Sequence, residues 1–254
     1  MLQVEEAATR SILTPQDEVS TLYPSYDFSL NPYQGCGLGC AYCYVMSYPF
    51  AEAHPPAWGE WVRPKVNAAC LLGKVRAKVW GKRVFMSSAT NPYQYVERKY
   101  RLTRDCLKAL LECNLASLTV HTRSQLILED LDLLKSFGKR VQVGFSVPTD
   151  DDRVRQRLEP NAPTIGLRLK TMRRLRQAGI KVWASVAPVV YCCPERLAAL
   201  LSEVAEFAWV GRMGWVDQTR FKEVGRAAQF FRSQTYEALM RELEDRFREV
   251  GLMK

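Results

Sequence analysis

At 254 residues, with 47% hydrophobic and 25% charged side chains, the chain suits one domain of α/β-barrel size with a sizeable core. Its 36 Lys and Arg against 27 Asp and Glu give a net charge of +9 and a sequence pI near 9.2. That favours a polyanionic partner such as nucleic acid, although charge spread along the chain also reads as an indifferent basic surface. The N-terminus Met1-Leu-Gln-Val-Glu-Glu lacks the basic and apolar regions of a secretory leader, and no apolar run reaches membrane-spanning length. Eight cysteines here read as reduced thiols of a cytoplasmic protein, not as a disulfide framework.

Taken in order, residues 1–27 mix charge with Ser and Thr, show no clean period, and read as a poorly specified leader to a domain spanning 28–254. Phe28 to Leu30 is a short strand feeding Asn31-Pro-Tyr-Gln-Gly-Cys36-Gly-Leu-Gly-Cys40-Ala-Tyr42-Cys43. Three thiols within eight residues, alternating with glycines after an Asn-Pro turn, form no packed apolar face, so this loop is expected to wrap a ligand. A disulfide uses only two of the three thiols. A structural zinc wants four ligands, and His54 is the only nearby candidate for the fourth. An iron–sulfur cubane suits three thiolates and leaves one iron open. Gly35, Gly37 and Gly39 let backbone N–H groups approach such a cluster. Tyr48 to Pro64 is rich in proline and reads as an irregular cover over the loop.

From Ala69 the pattern repeats. Ala69 to Trp80 reads as helix, Val84 to Met86 as strand, Leu102 to Cys113 as helix and Leu115 to Val120 as strand. Helix Leu126 to Phe137, strand Val141 to Val147, helix Leu167 to Ala178 and strand Ile180 to Val190 follow. Helix Pro194 to Ala205, strand Phe207 to Val210 and an amphipathic helix Thr235 to Val250 complete the chain. Strands alternating with helices imply an α/β fold of parallel strands joined by right-handed crossovers, with about six repeats. Cys70, Cys106 and Cys113 fall on the helices and read as buried packing residues.

The C-x3-C-x2-C spacing of Cys36, Cys40 and Cys43, with Tyr42 just before the third cysteine, resembles the signature of the radical S-adenosylmethionine (SAM) enzymes. That resemblance implies a partial (β/α)6 barrel with a C-terminal helix, a [4Fe-4S] cluster on the three cysteines, and S-adenosylmethionine bound to the open iron. It also implies reductive cleavage of that cofactor to a 5′-deoxyadenosyl radical that abstracts hydrogen from a substrate, and a reducing partner of flavodoxin or ferredoxin type.

In such a barrel the chemistry sits at the C-terminal strand ends. Those ends read Ser87-Ser88-Ala89-Thr90-Asn-Pro-Tyr93-Gln94, His121-Thr-Arg123-Ser124, Ser146-Val-Pro-Thr149 and Ala187-Pro188-Val-Val-Tyr191-Cys192-Cys193. Hydroxyls and one arginine suit a zwitterionic, hydroxyl-rich ligand. Ser88, Thr90, Arg123, Ser146 and Pro188 are therefore candidate cofactor-binding residues. Ser124, ahead of a helix, reads as a cap. The order of these blocks, with Arg157-Leu-Glu-Pro-Asn-Ala-Pro and Val186-Ala-Pro-Val-Val, resembles the spore photoproduct lyase and DNA repair photolyase-like branch of the superfamily. The resemblance implies that Arg123 binds the cofactor carboxylate, that Ser146 matches a cofactor-site serine, and that the backbone of Tyr42 faces adenine. The branch's hydrogen-donating cysteine is matched by Ala89, so repair of spore photoproduct itself is not expected. Cys192, Cys193 and Tyr191 are the candidate catalytic hydrogen donors in its place. Expected is an enzyme acting on an anionic substrate, nucleic acid first. The alternatives are a radical SAM enzyme acting on a peptide or small metabolite, or a non-catalytic metal module that binds nucleic acid.

Overall fold

The structure, a computed structural model, describes residues 2–16, 26–52, 57–214 and 229–253. Its frame is a seven-stranded sheet. The first strands in the chain are β1 (Gln3–Val4), β2 (Leu13–Pro15), β3 (Phe28–Leu30), β4 (Tyr33–Gly35) and β5 (Trp61–Pro64). Then come β6 (Arg83–Met86), β7 (Ser117–Thr122), β8 (Val141–Ser146), β9 (Lys181–Val186) and β10 (Ala208–Val210). The large sheet has the order β10-β9-β8-β7-β6-β3-β2. Six of its strands run parallel, and β2 adds an antiparallel edge, Leu13 opposite Leu30. This is the parallel α/β arrangement expected from the repeats, and it is consistent with the partial barrel that the resemblance implied.

Strand composition explains the parallel arrangement. In β8 every residue but Gln142 is buried, as strands covered on both faces must be. Side chains alternate between faces, so His121, Gly144 and Trp183, adjacent in register across β7, β8 and β9, share one face. A Cβ on Gly144 would lie 2.4 Å from the Trp183 ring and 3.0 Å from His121. Glycine in the central strand thus lets the two rings stack across it, centroids 5.6 Å apart and 4° from coplanar.

The helices are α1 (Pro49–Glu52), α2 (Ala68–Lys74), α3 (Arg76–Val79), α4 (Glu97–Tyr100), α5 (Leu102–Leu111), α6 (Leu131–Phe137), α7 (Asp152–Leu158), α8 (Ile165–Gln177), α9 (Pro194–Ser202) and α10 (Gln234–Glu249). The terminal helix α10 is opened by the Ser233 hydroxyl, which accepts from Tyr236 N–H. It buries Tyr236, Met240, Leu243 and Phe247, a stripe at helical spacing packed against α9. Each such side chain contributes about 1.5–3 kcal/mol of burial.

Five expectations are corrected. The leader is ordered where it is described: β1 pairs parallel with β5, and β2 joins the large sheet. The span read as one irregular cover holds α1 and β5, and β5, β4 and β1 form a separate three-stranded sheet. Ala69 to Trp80 is two helices parted at Val75, and the first half of Leu126 to Phe137 is a 3-10 turn, Gln125–Asp130. Cys106 and Cys113 are buried, but Cys70 is exposed. His54 lies outside the described residues.

Candidate active site

The cysteine loop leaves β4 through Gly35, whose φ is +77° and whose added Cβ would sit 2.5 Å from the Trp61 ring. No side chain fits there, so glycine sets the entry angle of the loop. Farther on, Gly39 (φ +64°) and Gly59 (φ +99°) touch backbone to backbone, a Cβ on Gly59 falling 2.7 Å from Gly39 Cα. This contact brings the segment carrying Trp58 over the cysteines.

Polar clamps hold the loop from three sides. Gly37 N–H donates to Gln94 Oε1 at 3.0 Å, Asn161 Nδ2 donates to Gly37 O at 2.9 Å, and Ala41 N–H donates to Leu158 O at 2.8 Å. Gln94 and Asn161 thus hold the loop that carries the thiols. Cys36 and Cys40 are buried, Cys43 is half-buried, and all three are free thiols. Burial pushes every one of them up, Cys43 to about 12. Left alone they are neutral, and a cationic centre is what makes them thiolates.

Among the described residues no three His, Cys, Asp or Glu converge as ligands of a single ion. A cubane does not ask for convergence, because each thiolate takes its own iron. Three thiols on one glycine-hinged loop, two buried and one half-buried, beside a cavity with polar groups in its wall, fit a [4Fe-4S] cluster.

That cavity, about 110 Å³, is lined by the three cysteines together with Tyr44, Ser87, Ser88, Thr90, Asn91, His121, Arg123 and Pro188, among others. Ser87 Oγ, Thr90 Oγ1 and Asn91 Nδ2 are buried there and make no hydrogen bond among the described residues. Buried polar atoms without partners cost roughly 1–3 kcal/mol each, so they mark a place made for a polar guest. Ser87 also adopts φ +73°, a left-handed backbone uncommon outside glycine and frequent where strain serves a site. Ser88 and Thr90, both expected at a cofactor site, line the cavity, as does Pro188, which follows a cis peptide bond. Ser88 Oγ accepts from Asn31 Nδ2 at 3.3 Å, and its carbonyl accepts from Tyr44 OH at 2.5 Å. Ser146 is fully buried and, against expectation, does not line the cavity.

Arg123 reaches the cavity from the end of β7, as expected, but it is not free. Its Nε donates to Glu159 Oε1 at 3.1 Å and its Nη2 to the Tyr42 hydroxyl at 3.2 Å. Tyr42 OH donates to the same Glu159 oxygen, and Arg168 Nη2 donates to the other. The expectation for Tyr42 concerned its backbone, whereas the structure gives its side chain a role beneath the loop. Burial opposes a charge on Glu159, but Arg168 and then Arg123 prevail and hold its carboxyl well below the usual range. His121 is pushed down to about 3, by burial first and Arg123 second, and so stays neutral at physiological pH. The Ser124 hydroxyl accepts from Leu126 N–H at 3.2 Å and acts as the expected cap.

Sequence reasoning missed Glu159, Asn91 and Tyr44. Glu159 stands out in hindsight as the single acid between Arg153 and Arg168, a stretch with four arginines. The structure does not bring Tyr191, Cys192 or Cys193 to this cavity. The Tyr191 ring stacks on Phe230 at 4.2 Å, Cys193 is exposed with its N–H on Asp150 Oδ1 at 2.8 Å, and Cys192 packs on the core.

Residues 30–192 match the sequence profile described as the Radical SAM superfamily. The chain belongs to this superfamily. Radical SAM proteins use a [4Fe-4S] cluster and S-adenosylmethionine, the cofactors that the resemblance of the cysteine motif led us to expect. An uncharacterized protein of Methanocaldococcus jannaschii is 31% identical over 174 residues, 67% of this chain and 63% of that protein. Among solved structures, a cysteine-to-alanine mutant of spore photoproduct lyase with dinucleoside spore photoproduct superposes with a TM-score of 0.61 at 18% identity, covering 79% of this chain and 56% of the lyase. SuiB of Streptococcus suis bound to the precursor peptide SuiA superposes at 0.55 and 17% identity, covering 83% of this chain and 46% of SuiB. At these identities the structures share the fold. This radical SAM chain spans less than two thirds of the length of each of the three.

Proposed function

We propose that this radical SAM enzyme acts on an anionic substrate, nucleic acid first, admitted through a cleft beside the cluster cavity. The observation that carries this reading is that cleft. It measures about 410 Å³ and shares Tyr44, Ser88, Ala89 and Thr90 with the cavity. Lys65 lines it, and among the described residues its ammonium has no ion-pair or hydrogen-bond partner, while burial disfavours its charge. Tyr48 and Phe50 line it too and are exposed. An unpaired cation beside exposed rings suits a nucleotide, phosphate on the ammonium and base on the ring faces. The net charge of +9 supports the same choice.

Within the site, Cys36, Cys40 and Cys43 would hold the cluster and Arg123 the carboxylate of the cofactor, with Ser88, Thr90, Asn91 and Pro188 shaping its pocket. When bound, the group supplies a 5′-deoxyadenosyl radical, given an electron from a flavodoxin- or ferredoxin-type donor. Trp58 and the Gly39–Gly59 contact cover the cysteine side of the cavity and limit water there. Ala89 sits where the cavity and the cleft meet and has no thiol hydrogen to give a substrate radical, so spore photoproduct is not the expected substrate. Among the described residues, no helix is long and apolar enough to cross a membrane.

Anaerobic incubation of the reconstituted enzyme and a low-potential reductant with cofactor labelled on the 5′ carbon, against DNA, RNA and peptide pools, tests the substrate class. Cofactor cleavage stimulated by an oligonucleotide, with binding that weakens steeply as salt rises, is the expected result. Stimulation by peptides alone would favour the peptide reading, which the SuiB complex supports.

A further inference from the structure

We infer that Glu159 is a positioning residue that aims Arg123 at the cofactor carboxylate. The inference rests on the role proposed above for Arg123. Glu159 itself does not line the cavity. It follows α7, its N–H donating to Arg155 O at 2.6 Å, while Arg155 Nη1 donates to the carbonyls of Glu159 and Ala162 at 3.3 and 3.1 Å. The backbone under the carboxylate is therefore fixed, and the side chain is fully buried.

The two arginines on this carboxylate differ in one respect that decides their roles. Arg168 spends every nitrogen on the protein: Nε on Pro163 O at 3.0 Å, Nη1 on Ser146 O at 3.0 Å and Nη2 on Glu159. It is fully buried and binds the end of β8 to α8. Arg123 uses only Nε and Nη2, and its Nη1 has no partner among the described residues. Its side chain is 18% exposed and lines the cavity. Two guanidiniums against one carboxylate leave one buried positive charge in surplus. The surplus sits on the arginine with spare donors, at the cavity wall, where a second carboxylate would balance it. Glu159 holds the Nε edge of that guanidinium and so leaves the Nη1 edge as the one that can meet a ligand. Through the Tyr42 hydroxyl it also ties this aim to the turn between Cys40 and Cys43.

The test is a double-variant cycle read by equilibrium binding of S-adenosylmethionine to the cluster-reconstituted protein, with iron content and circular dichroism measured alongside. Arg123→Ala is expected to weaken binding tenfold to a hundredfold. Glu159→Gln, which keeps the shape and removes the charge, is expected to weaken it by at least tenfold with the cluster retained. The two changes together should cost no more than Arg123→Ala alone, because both act through one guanidinium. Additive losses, or unchanged affinity in a folded Glu159→Gln protein, would overturn the inference while leaving Arg123 in its role. Unchanged affinity in Arg123→Ala would instead overturn the role of Arg123, and the inference with it. Should Glu159→Gln fail to fold, Glu159→Asp keeps the charge but withdraws the oxygens by one methylene. Affinity lowered at least tenfold in a folded Glu159→Asp protein supports the inference, and wild-type affinity overturns it.

Discussion

Two regions of this molecule carry neighbouring cysteines, and they are built in opposite ways. Around Cys36, Cys40 and Cys43, Gly35 and Gly39 at positive φ set the path of the loop, and groups far away in sequence, Gln94 and Asn161, hold its backbone. At Cys192 and Cys193 the thiols are adjacent, yet one packs on the core and the other faces outward, with only a backbone N–H tied to Asp150. Proximity in sequence is not what makes a metal site. A backbone shaped around a cavity suits one, and among the described residues the first region lines such a cavity while Cys192 and Cys193 do not line it.

The largest effect that could break this contrast is loss of a ligand. Cys40→Ala leaves a cubane with two protein thiolates, so iron content and reductive cofactor cleavage should fall together to near background. Full iron content in that variant, measured after anaerobic reconstitution, would remove the loop from its role. A smaller effect comes from the frame. Gly59→Ala places a methyl 2.7 Å from Gly39 Cα at a φ of +99°. Overpacking and left-handed strain together cost about 2–4 kcal/mol, because a backbone atom cannot swing aside. The urea midpoint should drop, and iron should leak faster from this variant than from one altered far away, such as Trp80→Ala on the exposed surface.

Arg123→Ala sharpens the comparison further, since it should spare the cluster and weaken the cofactor. Removing a charge-assisted pair costs about 1.5–3 kcal/mol, or tenfold to a hundredfold in affinity. The pH dependence follows from Glu159. Its carboxyl is held down to about 2, so the stability it lends is present above the unfolded pKa of about 4.3 and is lost as the pH falls from there through the folded value. Cofactor affinity should accordingly show no Glu159 step between about pH 5 and 8, a range well above the folded value. A step there, absent from Glu159→Gln, would show that the carboxylate is less well paired than the geometry indicates.

What was legible in the sequence was what is local. The strand and helix repeats follow hydrophobic periods within single elements, and the three cysteines announce themselves by spacing. What was not legible depends on convergence. Tyr42 meets Glu159 across 117 residues and Gly37 meets Asn161 across 124, distances over which no pattern runs. Strands β1 and β2, two and three residues long, are too short to show a period of two. Helix α7 hid because its sequence, Asp152-Arg-Val-Arg-Gln-Arg-Leu158, offers little apolar face. The hydrogen-donor candidates lie outside the cavity wall for one reason. The apolar run to Val190 reads as one strand, but β9 ends at Val186, and the chain has left the sheet before Tyr191.

That early strand end sets the smallest predicted effect. Cys192→Ala with Cys193→Ala removes two thiols that line neither the cavity nor the cleft beside it. Cys192 is half-buried, and its thiol is pushed up to about 12, by burial first and Asp150 second, so it is a neutral packing group at physiological pH. Losing it should cost roughly 1 kcal/mol or less of stability, the scale of a modest truncation at a partly buried site. Iron content, cofactor affinity and the rate of cofactor cleavage should stay within about twofold of wild type, a change under about 0.5 kcal/mol. The informative measurement is the ratio of modified substrate to 5′-deoxyadenosine, once a substrate is found. An unchanged ratio keeps these thiols out of the chemistry. Cleavage that continues while product falls away would mean that a substrate radical forms and is not quenched, and it would return Cys192 or Cys193 to the role of hydrogen donor despite its place outside the cavity wall.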